Sequence, residues 1–305
     1  FLAKKYKIID KPNERSSHTK ITVRGGGIIF PIAILLFYVF NDYQYPYFVL
    51  GVFLISIISF LDDIYTLSAK IRFPFQFIAV FLVLYQVSFP FTPIYLFAFY
   101  LIFGIGLVNM YNFMDGVNGI TGIYSLCVLF GLFLINNEEH LINNNLIIYV
   151  AISLIVFGFY NFRRKALFFA GDIGSIVLGV LLFFIGFLFA IKLSSPLILL
   201  LVIVYGADTG VTMLYRKLYT SESILEPHRH HIYQKMVDVF KVSHLKISMI
   251  YGLLQLIVNF IVFKTYKLDI TSQLFVFFRL IFLFILSYVI LFKMTRKKEL
   301  SNNNI

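Results

Sequence analysis

Repeated apolar runs constrain the fold of this chain more than any single residue does. Ten runs, most of them near the roughly 17–25 residues that cross a bilayer as a helix, alternate with polar connections. They cover residues 26–40, 46–61, 73–89, 93–109, 119–135, 146–162, 174–191, 197–215, 244–264 and 274–293. In lipid each run must be helical, because an unpaired backbone group costs roughly several kcal/mol there.

Composition supports the same interpretation. Of the 305 residues, 60% are hydrophobic and 13% are charged, whereas about 25% of a soluble domain is charged. We therefore predict an all-α integral membrane protein with about 10 transmembrane helices, forming one polytopic domain over residues 1–305. The chain begins Phe1-Leu2-Ala3 before a basic stretch. This looks like the tail of an apolar helix, so we expect an eleventh span upstream.

The basic residues indicate the orientation of the spans. Of the 26 Lys and Arg residues, 21 lie in segments 1–25, 62–72, 163–173, 216–243 and 292–305. By the positive-inside rule these segments are cytoplasmic, which places both visible ends and the loop 110–118 inside. The net charge of +11 is then explained by topology and by contacts with lipid headgroups. We therefore expect membrane lipids, and no nucleic acid, as partners.

Two adjacent carboxylates, Asp62 and Asp63, end the span 46–61. They face the negative end of the helix dipole and repel each other. A divalent cation or another positive group nearby would stabilise them, and the alternative is a solvated helix end. Lys70 and Arg72 follow, and they either hold a phosphate or only satisfy the positive-inside rule.

Asn109, Asn112 and Asp115 recur every three residues, which places them along one side of a helix. The span then breaks at Gly116, and Asn118 follows. Amides and a carboxylate presented together suit recognition of hydroxyl and amide groups, or support of a metal ion. A polar seam between helices is the alternative.

The segment 171–175, Gly-Asp-Ile-Gly-Ser, opens the span 174–191. Free N–H groups at a helix start favour phosphate, and Asp172 offers a hard oxygen ligand for Mg²⁺. An ordinary N-cap is the alternative. Asp208 is the one acid well inside a span, so it is either functional or the partner of an Arg or a helix end.

The segment 227–231, Pro-His-Arg-His-His, lies in the largest predicted cytoplasmic loop. Its imidazoles and Arg229 either donate to phosphate or bind a transition metal. The zinc signal is weak, because no Cys or nearby ligand pattern accompanies the histidines. Phosphate binding fits the neighbouring polar segments better.

Together these segments resemble the polyprenyl-phosphate N-acetylhexosamine-1-phosphate transferases of glycosyltransferase family 4. The resemblance covers residues 10–235 approximately, and its motifs occur in family order. They are Asp62-Asp63, Asn109-x-x-Asn112-x-x-Asp115-Gly116, Gly171-Asp172-x-Gly174-Ser175, Asp208-Thr209 and His228-Arg229-x-His231. The stretch 10–27 is similar to the O-antigen-initiating branch. Asn118 stands where many members have Asp, and Ile21 and Val23 stand where prolines are common, which bears on the identity of the donor.

The resemblance implies Mg²⁺-dependent transfer of a HexNAc-1-phosphate from a UDP-sugar to undecaprenyl phosphate, at the cytoplasmic face of a bacterial inner membrane. UMP would leave, and the product would start a lipid-linked glycan such as the O-antigen of lipopolysaccharide. By analogy Asp62, Asp63 and Asp172 are catalytic, and Asp172 and Asp115 hold Mg²⁺, or Mn²⁺ in its place. The implied substrate-binding residues are Lys70, Asn109, Asn112, Asp115, Asn118, Gly171, Ser175, His228, Arg229, His230 and His231.

Two other classes of membrane protein are rivals to this interpretation. A transporter or flippase of a polyprenyl-linked glycan would use the same polar groups to bind a headgroup, but would release no UMP. A CDP-alcohol phosphotransferase would need an Asp-x-x-Asp-Gly-x-x-Ala-Arg signature, which the segment 114–119 lacks. A homodimer is an open alternative to a monomer.

Overall fold

The computed structural model describes residues 9–10, 22–220 and 229–303, and most of them are helical. The α-helices in this part of the chain are α1 (Ile29–Phe40), α2 (Pro46–Tyr65), α3 (Ala69–Gln86), α4 (Ile94–Phe113), α5 (Ile120–Glu139), α6 (Asn144–Asn161), α7 (Gly171–Lys192), α8 (Ile203–Tyr219), α9 (Ile232–Asp238), α10 (His244–Thr265) and α11 (Ile270–Asn303). Short 3-10 helices, Gly26–Ile28 and Pro196–Val202, precede α1 and α8. Ile9–Asp10 pairs with Thr22–Val23 as a two-residue antiparallel ladder. The predicted all-α class is confirmed.

Each of the ten predicted spans coincides with a helix. Eight helical segments are long and apolar enough to cross a membrane, and they comprise α2, α4, α5, α6, α7, the segment Pro196–Tyr219, α10 and α11. The other two predicted spans correspond to the shorter apolar helix Gly26–Phe40 and to α3. The prediction of a multi-pass membrane protein is therefore confirmed.

Polar residues extend several helices beyond the predicted spans. Helix α3 begins at Ala69 rather than at 73, and Arg72 in its first turn pairs with carboxylates on α2 and α7. Helix α11 continues ten residues past 293, where Glu299 pairs with Lys235 at 2.8 Å. The segment 216–243 also contains the short helix α9, which apolar periodicity does not reveal.

Helix α7 lies at the centre of the bundle, and 89% of its apolar stretch is buried. Gly179 lets α4 approach closely, since a Cβ there would lie 3.0 Å from the Cα of Val108. On another side Phe184 stacks on Phe48 of α2, with ring centroids 4.3 Å apart. This packing brings the end of α2, the end of α4 and the start of α7 together at one end of the bundle.

Side chains of neighbouring helices complete the hydrogen bonding where the Pro196–Val202 segment changes into α8. Gln255 of α10 donates to the carbonyl of Leu200 at 3.1 Å. Its side-chain oxygen accepts from the hydroxyl of Tyr124 at 2.6 Å and from the N–H of Val204 at 3.4 Å. Because lipid offers no hydrogen bonds, an irregular backbone at this depth requires such partners from the protein.

Candidate functional site

The Asp63 carboxylate at the end of α2 caps the start of α7. It accepts from the backbone N–H of Asp172 at 2.9 Å and from that of Ile173 at 3.2 Å. The positive end of the α7 dipole thus stabilises an acid that the dipole of α2 disfavours. Two of the N–H groups that the sequence suggests for phosphate are therefore already bound by Asp63.

Gly171 makes this contact sterically feasible. Its φ of +73° lies in the left-handed region, which favours glycine. A Cβ at this position would collide with the Asp63 carboxylate. The glycine predicted to admit a diphosphate therefore also admits an acidic side chain of the protein.

Arg72 of α3 bridges the two remaining carboxylates of this cluster. Its Nη1 lies 2.7 Å from Asp62 Oδ2 and 2.9 Å from Asp172 Oδ2. Asp62 also accepts from the backbone N–H of Leu67 at 2.5 Å. The sequence allows the same two interpretations for Lys70 and Arg72, and of the two, Lys70 is the predicted substrate-binding residue. The structure places Arg72 at the acids, while Lys70, two residues earlier and on another face of α3, is exposed.

The two asparagines of α4 have different surroundings. Asn112 donates to the hydroxyl of Ser175 at 3.2 Å, and Ser175 donates in turn to the carbonyl of Gly171 at 3.2 Å. Asn109 instead pairs with Gln76 of α3, through amide bonds of 2.9 and 3.2 Å. Asn112 therefore adjoins the start of α7, whereas Asn109 forms the polar seam that was its alternative interpretation.

Asp115 lies in the turn between α4 and α5. It accepts from the Thr121 hydroxyl at 2.6 Å. Burial raises the pKa of the Asp115 carboxyl to about 6; the Thr121 hydrogen bond opposes this rise, and the charge of Asp172 reinforces it. The backbone N–H of Asp115 donates to the carbonyl of Asn112 at 3.2 Å, and Asn112 bonds to Ser175, so the turn that carries Asp115 adjoins the start of α7.

Asn118 is buried and bound to protein atoms. Its side-chain amide donates to the carbonyls of Arg163 at 3.0 Å and Arg164 at 3.2 Å. Its own carbonyl accepts from the Ser248 hydroxyl at 2.8 Å. Asn118 thereby fastens the loop between α6 and α7 to α10.

Asp208 is fully buried in α8 and caps the start of α9. It accepts from the N–H groups of Ile232 at 3.1 Å and Tyr233 at 3.2 Å, and from the hydroxyl of Tyr251. Its Oδ1 lies 3.0 Å from His231 Nδ1. Asp208 therefore anchors the histidine segment to the bundle and pairs with a helix end, one of the interpretations that the sequence allows.

The other residues of the histidine segment differ in exposure and in partners. Arg229 pairs with Asp238 at 2.7 Å, which closes the segment around α9. His231 is 2% exposed, while His230 is half-buried. His228 lies outside the described residues.

Tyr233 joins the α9 region to the acidic cluster. Its hydroxyl donates to the carbonyl of Phe113 at 2.9 Å, at the end of α4. Gly116 lies against the same ring, and a Cβ there would collide with the Tyr233 hydroxyl. A continuous set of contacts thus links Asp208, the turn that carries Asp115 and the start of α7.

The acids of the cluster suit a magnesium ion that also binds substrate. Within residues 9–10, 22–220 and 229–303, no group of three or more His, Cys, Asp or Glu side chains forms a metal centre. Mg²⁺ usually takes only one or two carboxylates and completes its shell with water and substrate phosphates. Asp62 and Asp172 already share one cationic group, so their spacing is compatible with a shared positive ligand.

The fold and site define a multi-pass helical membrane protein with acids and amides at one end of its bundle. The chain belongs to glycosyl transferase family 4, whose model matches residues 45–210. This match extends from the start of α2 into α8 and includes Asp62, Asp172 and Asp208. The predicted family and its enzyme class are thereby confirmed.

Three relatives indicate which members of the family the chain is similar to. The probable undecaprenyl-phosphate N-acetylglucosaminyl 1-phosphate transferase of Bacillus subtilis is 26% identical over 275 residues, which cover 80% of this chain and 73% of that protein. The undecaprenyl-phosphate alpha-N-acetylglucosaminyl 1-phosphate transferase of Thermotoga maritima is 26% identical, covering 81% and 79%. The phospho-N-acetylmuramoyl-pentapeptide-transferase of Dictyoglomus turgidum is 30% identical, covering 59% and 62%.

Proposed function

We propose that this protein transfers a HexNAc-1-phosphate from a UDP-sugar to undecaprenyl phosphate and releases UMP. The observation that carries the proposal is the Asp62–Arg72–Asp172 bridge, which gathers two acids and a cation from α2, α3 and α7. The named relatives support transfer of a sugar phosphate to this lipid. The UDP donor and the product UMP are our extension.

The protein's share of the chemistry is to position two anionic substrates against each other. A phosphate oxygen of the lipid attacks the β-phosphorus of the donor, and the bond from that phosphorus to UMP breaks. A phosphate monoester has its second pKa near roughly 6, so it is largely ionised at neutral pH and needs no strong base. Asn112 is partly exposed beside the start of α7 and offers a polar contact for the sugar, while the buried Ser175 accepts a hydrogen bond from its amide.

We propose that Asp172 and Asp115 hold Mg²⁺, or Mn²⁺ in its place, with Asp62 close enough to share it. When bound, such an ion neutralises the negative charge of the donor diphosphate and of the departing UMP. Asp63 then acts through position, because its bonds to the N–H groups of Asp172 and Ile173 hold the start of α7 beside α2.

A groove between α10 and α11 offers a place for the isoprenoid chain of the acceptor. Its volume is about 260 Å³, and its lining is almost entirely apolar. Leu254 and Ile257 of α10 face Leu283 and Phe284 of α11, and Ile232 of α9 lies at one end. Both walls are segments long and apolar enough to span the membrane, so hydrocarbon would fill this groove in a bilayer. Ile232 follows His231, which contacts Asp208, so the groove extends towards Asp208.

We further propose that the site faces the cytoplasm of a bacterial inner membrane, with both visible ends inside. The ends of α2, α4 and α6 and the end of α11 follow even-numbered predicted spans, which places them on one side. Basic residues concentrate there, at 163–165 and at 293–298. The product would then begin a lipid-linked glycan of the cell envelope.

A transfer assay on the full chain in lipid nanodiscs tests the function. It supplies undecaprenyl phosphate, Mg²⁺ and a panel of UDP-N-acetylhexosamines, and it measures UMP and lipid-linked sugar phosphate. We expect equal amounts of both products with at least one donor, and their loss in Asp172→Asn. If the folded wild-type protein transfers sugar phosphate from none of these donors, the result would favour a transporter or flippase.

A further inference from the structure

The guanidinium of Arg72 uses only part of its hydrogen-bonding capacity on the two acids. Both described ion pairs involve Nη1, at 2.7 Å to Asp62 and 2.9 Å to Asp172. Its Nε is buried and has no hydrogen-bond partner among the described residues. An arginine fork can hold a phosphate through two parallel N–H bonds. The side of Arg72 that includes Nε therefore still has donors for such a group.

Arg72 also occupies a boundary between protein and solvent. Its side chain is 29% exposed, whereas that of Asp62 is 7% and that of Asp172 is 20% exposed. It projects from the first turns of α3, while the two acids lie on α2 and α7. A flexible side chain at this position can leave the acids without disturbing either of those helices.

The Asp62–Asp172 pair is more stable in its ionised form when a positive group is bound to both acids. Asp62 and Asp172 are held together here by a single cationic nitrogen. Two carboxylates this close repel each other once their shared cation leaves, unless another takes its place. A divalent cation that arrives with substrate phosphates would take that place, and the same phosphates would offer Arg72 a new anionic partner.

We propose that Arg72 neutralises the Asp62–Asp172 pair when no substrate is bound and moves its guanidinium to a substrate phosphate during binding, which leaves the acids to a divalent cation. This inference rests on the proposed function. It makes Arg72 a phosphate-binding residue, and a competitor of the metal ion in the resting enzyme.

Two binding measurements on the purified full chain test this exchange, since they should change in opposite directions. Mn²⁺ binding without nucleotide is followed by electron paramagnetic resonance, and UMP binding in the presence of Mn²⁺ is followed by calorimetry. In Arg72→Gln we expect tighter Mn²⁺ binding, because the competing cation is gone. We expect UMP to bind about 10- to 100-fold more weakly, the usual effect of losing a charge-assisted bond.

Two further variants test whether the planar guanidinium matters beyond its positive charge, and whether the loss of any positive charge has the same effect. Arg72→Lys keeps the positive charge but cannot form two parallel bonds, so Mn²⁺ binding should stay near wild type while UMP binding weakens about tenfold. Lys192→Gln removes an exposed charge at the opposite end of α7 and should change neither. If Arg72→Gln fails to fold, the Arg72→Lys result decides the matter.

Steady-state kinetics with Arg72→Lys identify which phosphate is bound. We expect a raised KM for the UDP-sugar, in line with the weaker UMP binding, whereas a KM raised only for a short-chain polyprenyl phosphate would contradict a donor phosphate as the partner of Arg72. Unchanged KM values for both substrates, or Mn²⁺ binding that weakens in Arg72→Gln, would overturn the proposal. If the wild-type protein itself neither binds nor releases UMP, the proposed function fails instead.

Discussion

The carboxylate of Asp63 on α2 accepts a hydrogen bond from the backbone N–H of Asp172 at 2.9 Å, and this bond holds the start of α7 next to α2. Asp62 and Asp63 are adjacent in the sequence but bind different partners. Asp62 faces Arg72, and Asp63 faces the helix start. The geometry of the cluster depends on this cap.

Removal of the cap should loosen the start of α7. We expect Asp63→Ala to lower the stability by about 0.5–2 kcal/mol, the usual cost of losing an N-cap acceptor. Asp63→Asn keeps one acceptor oxygen and should lose less. Melting temperatures of both variants in the same detergent check the order. Equal melting temperatures for wild type and Asp63→Ala would show that the cap contributes no stability.

Gly171 should not tolerate even the smallest side chain. Gly171→Ala places a Cβ against the Asp63 carboxylate at a φ of +73°, so we expect lower thermal stability and little transfer activity. Gly186→Ala in the same helix is the matched control, because a Cβ there meets nothing within 4 Å. We expect the control to keep activity and to match or exceed wild-type stability. A Gly171→Ala enzyme with wild-type rates would contradict the steric role.

The raised pKa of Asp115 predicts a pH dependence of stability in metal-free protein. Burial raises this pKa from 3.8 to about 6, so the folded protein binds a proton that the unfolded chain releases between these values. Stability therefore falls as pH rises through roughly 4 to 6, by an amount on the order of 3 kcal/mol from this group. Asp115→Asn should lose that part of the dependence.

Thermal unfolding in EDTA at pH 5 and pH 7 measures this contribution. We expect the melting temperature of wild type to drop more than that of Asp115→Asn on going to pH 7. Identical drops in the two proteins would show that Asp115 titrates normally in the folded state.

Asp208 should control the local stability of α9. Asp208→Asn removes an oxygen from the carboxylate that binds the N–H groups of Ile232 and Tyr233, so these amides should exchange with deuterium faster. Hydrogen exchange with mass spectrometry over 229–238 checks this, with Thr209→Val as the adjacent control. Unchanged protection in Asp208→Asn would assign the anchoring of α9 to other contacts.

The apolar groove predicts a substrate-length effect. Ile257→Trp would fill part of the space between α10 and α11, so we expect a raised KM for undecaprenyl phosphate. The KM for a short-chain polyprenyl phosphate, whose tail would not reach Ile257, should stay unchanged. Steady-state assays with both acceptors test the difference. An equal change in KM for both acceptors would show that the isoprenoid chain of the acceptor binds elsewhere.

Much of the fold could be predicted from the sequence, because lipid leaves few choices for the backbone. Every apolar run coincides with a helix, and the family of the chain follows from motifs such as Asp62-Asp63. Apolar periodicity could not reveal α9, whose start is held by Asp208 from a distant span. The helical break at Pro196–Val202 was also hidden, because Gln255 of α10 supports it.

The candidate site was predictable in its members more than in their partners. The contacts of a basic residue depend on which side of its helix faces a neighbouring helix. Arg72 and Lys70 lie on different sides of α3, and the sequence alone does not show which side faces the acids of α2 and α7. The chemistry of Asn118 and Asn109 predicts contacts with substrate, and the structure places their amides against protein groups. Their predicted roles in substrate binding remain predictions.

The fate of the donor's β-phosphate tests the central claim most directly. The assay uses a UDP-N-acetylhexosamine labelled with ³²P at that position, together with undecaprenyl phosphate and the full chain. Transfer of a sugar phosphate predicts that the label enters the lipid fraction and that unlabelled UMP is released. Label that remains with the nucleotide as UDP, while sugar reaches the lipid, would contradict attack at the β-phosphorus and with it the assigned reaction.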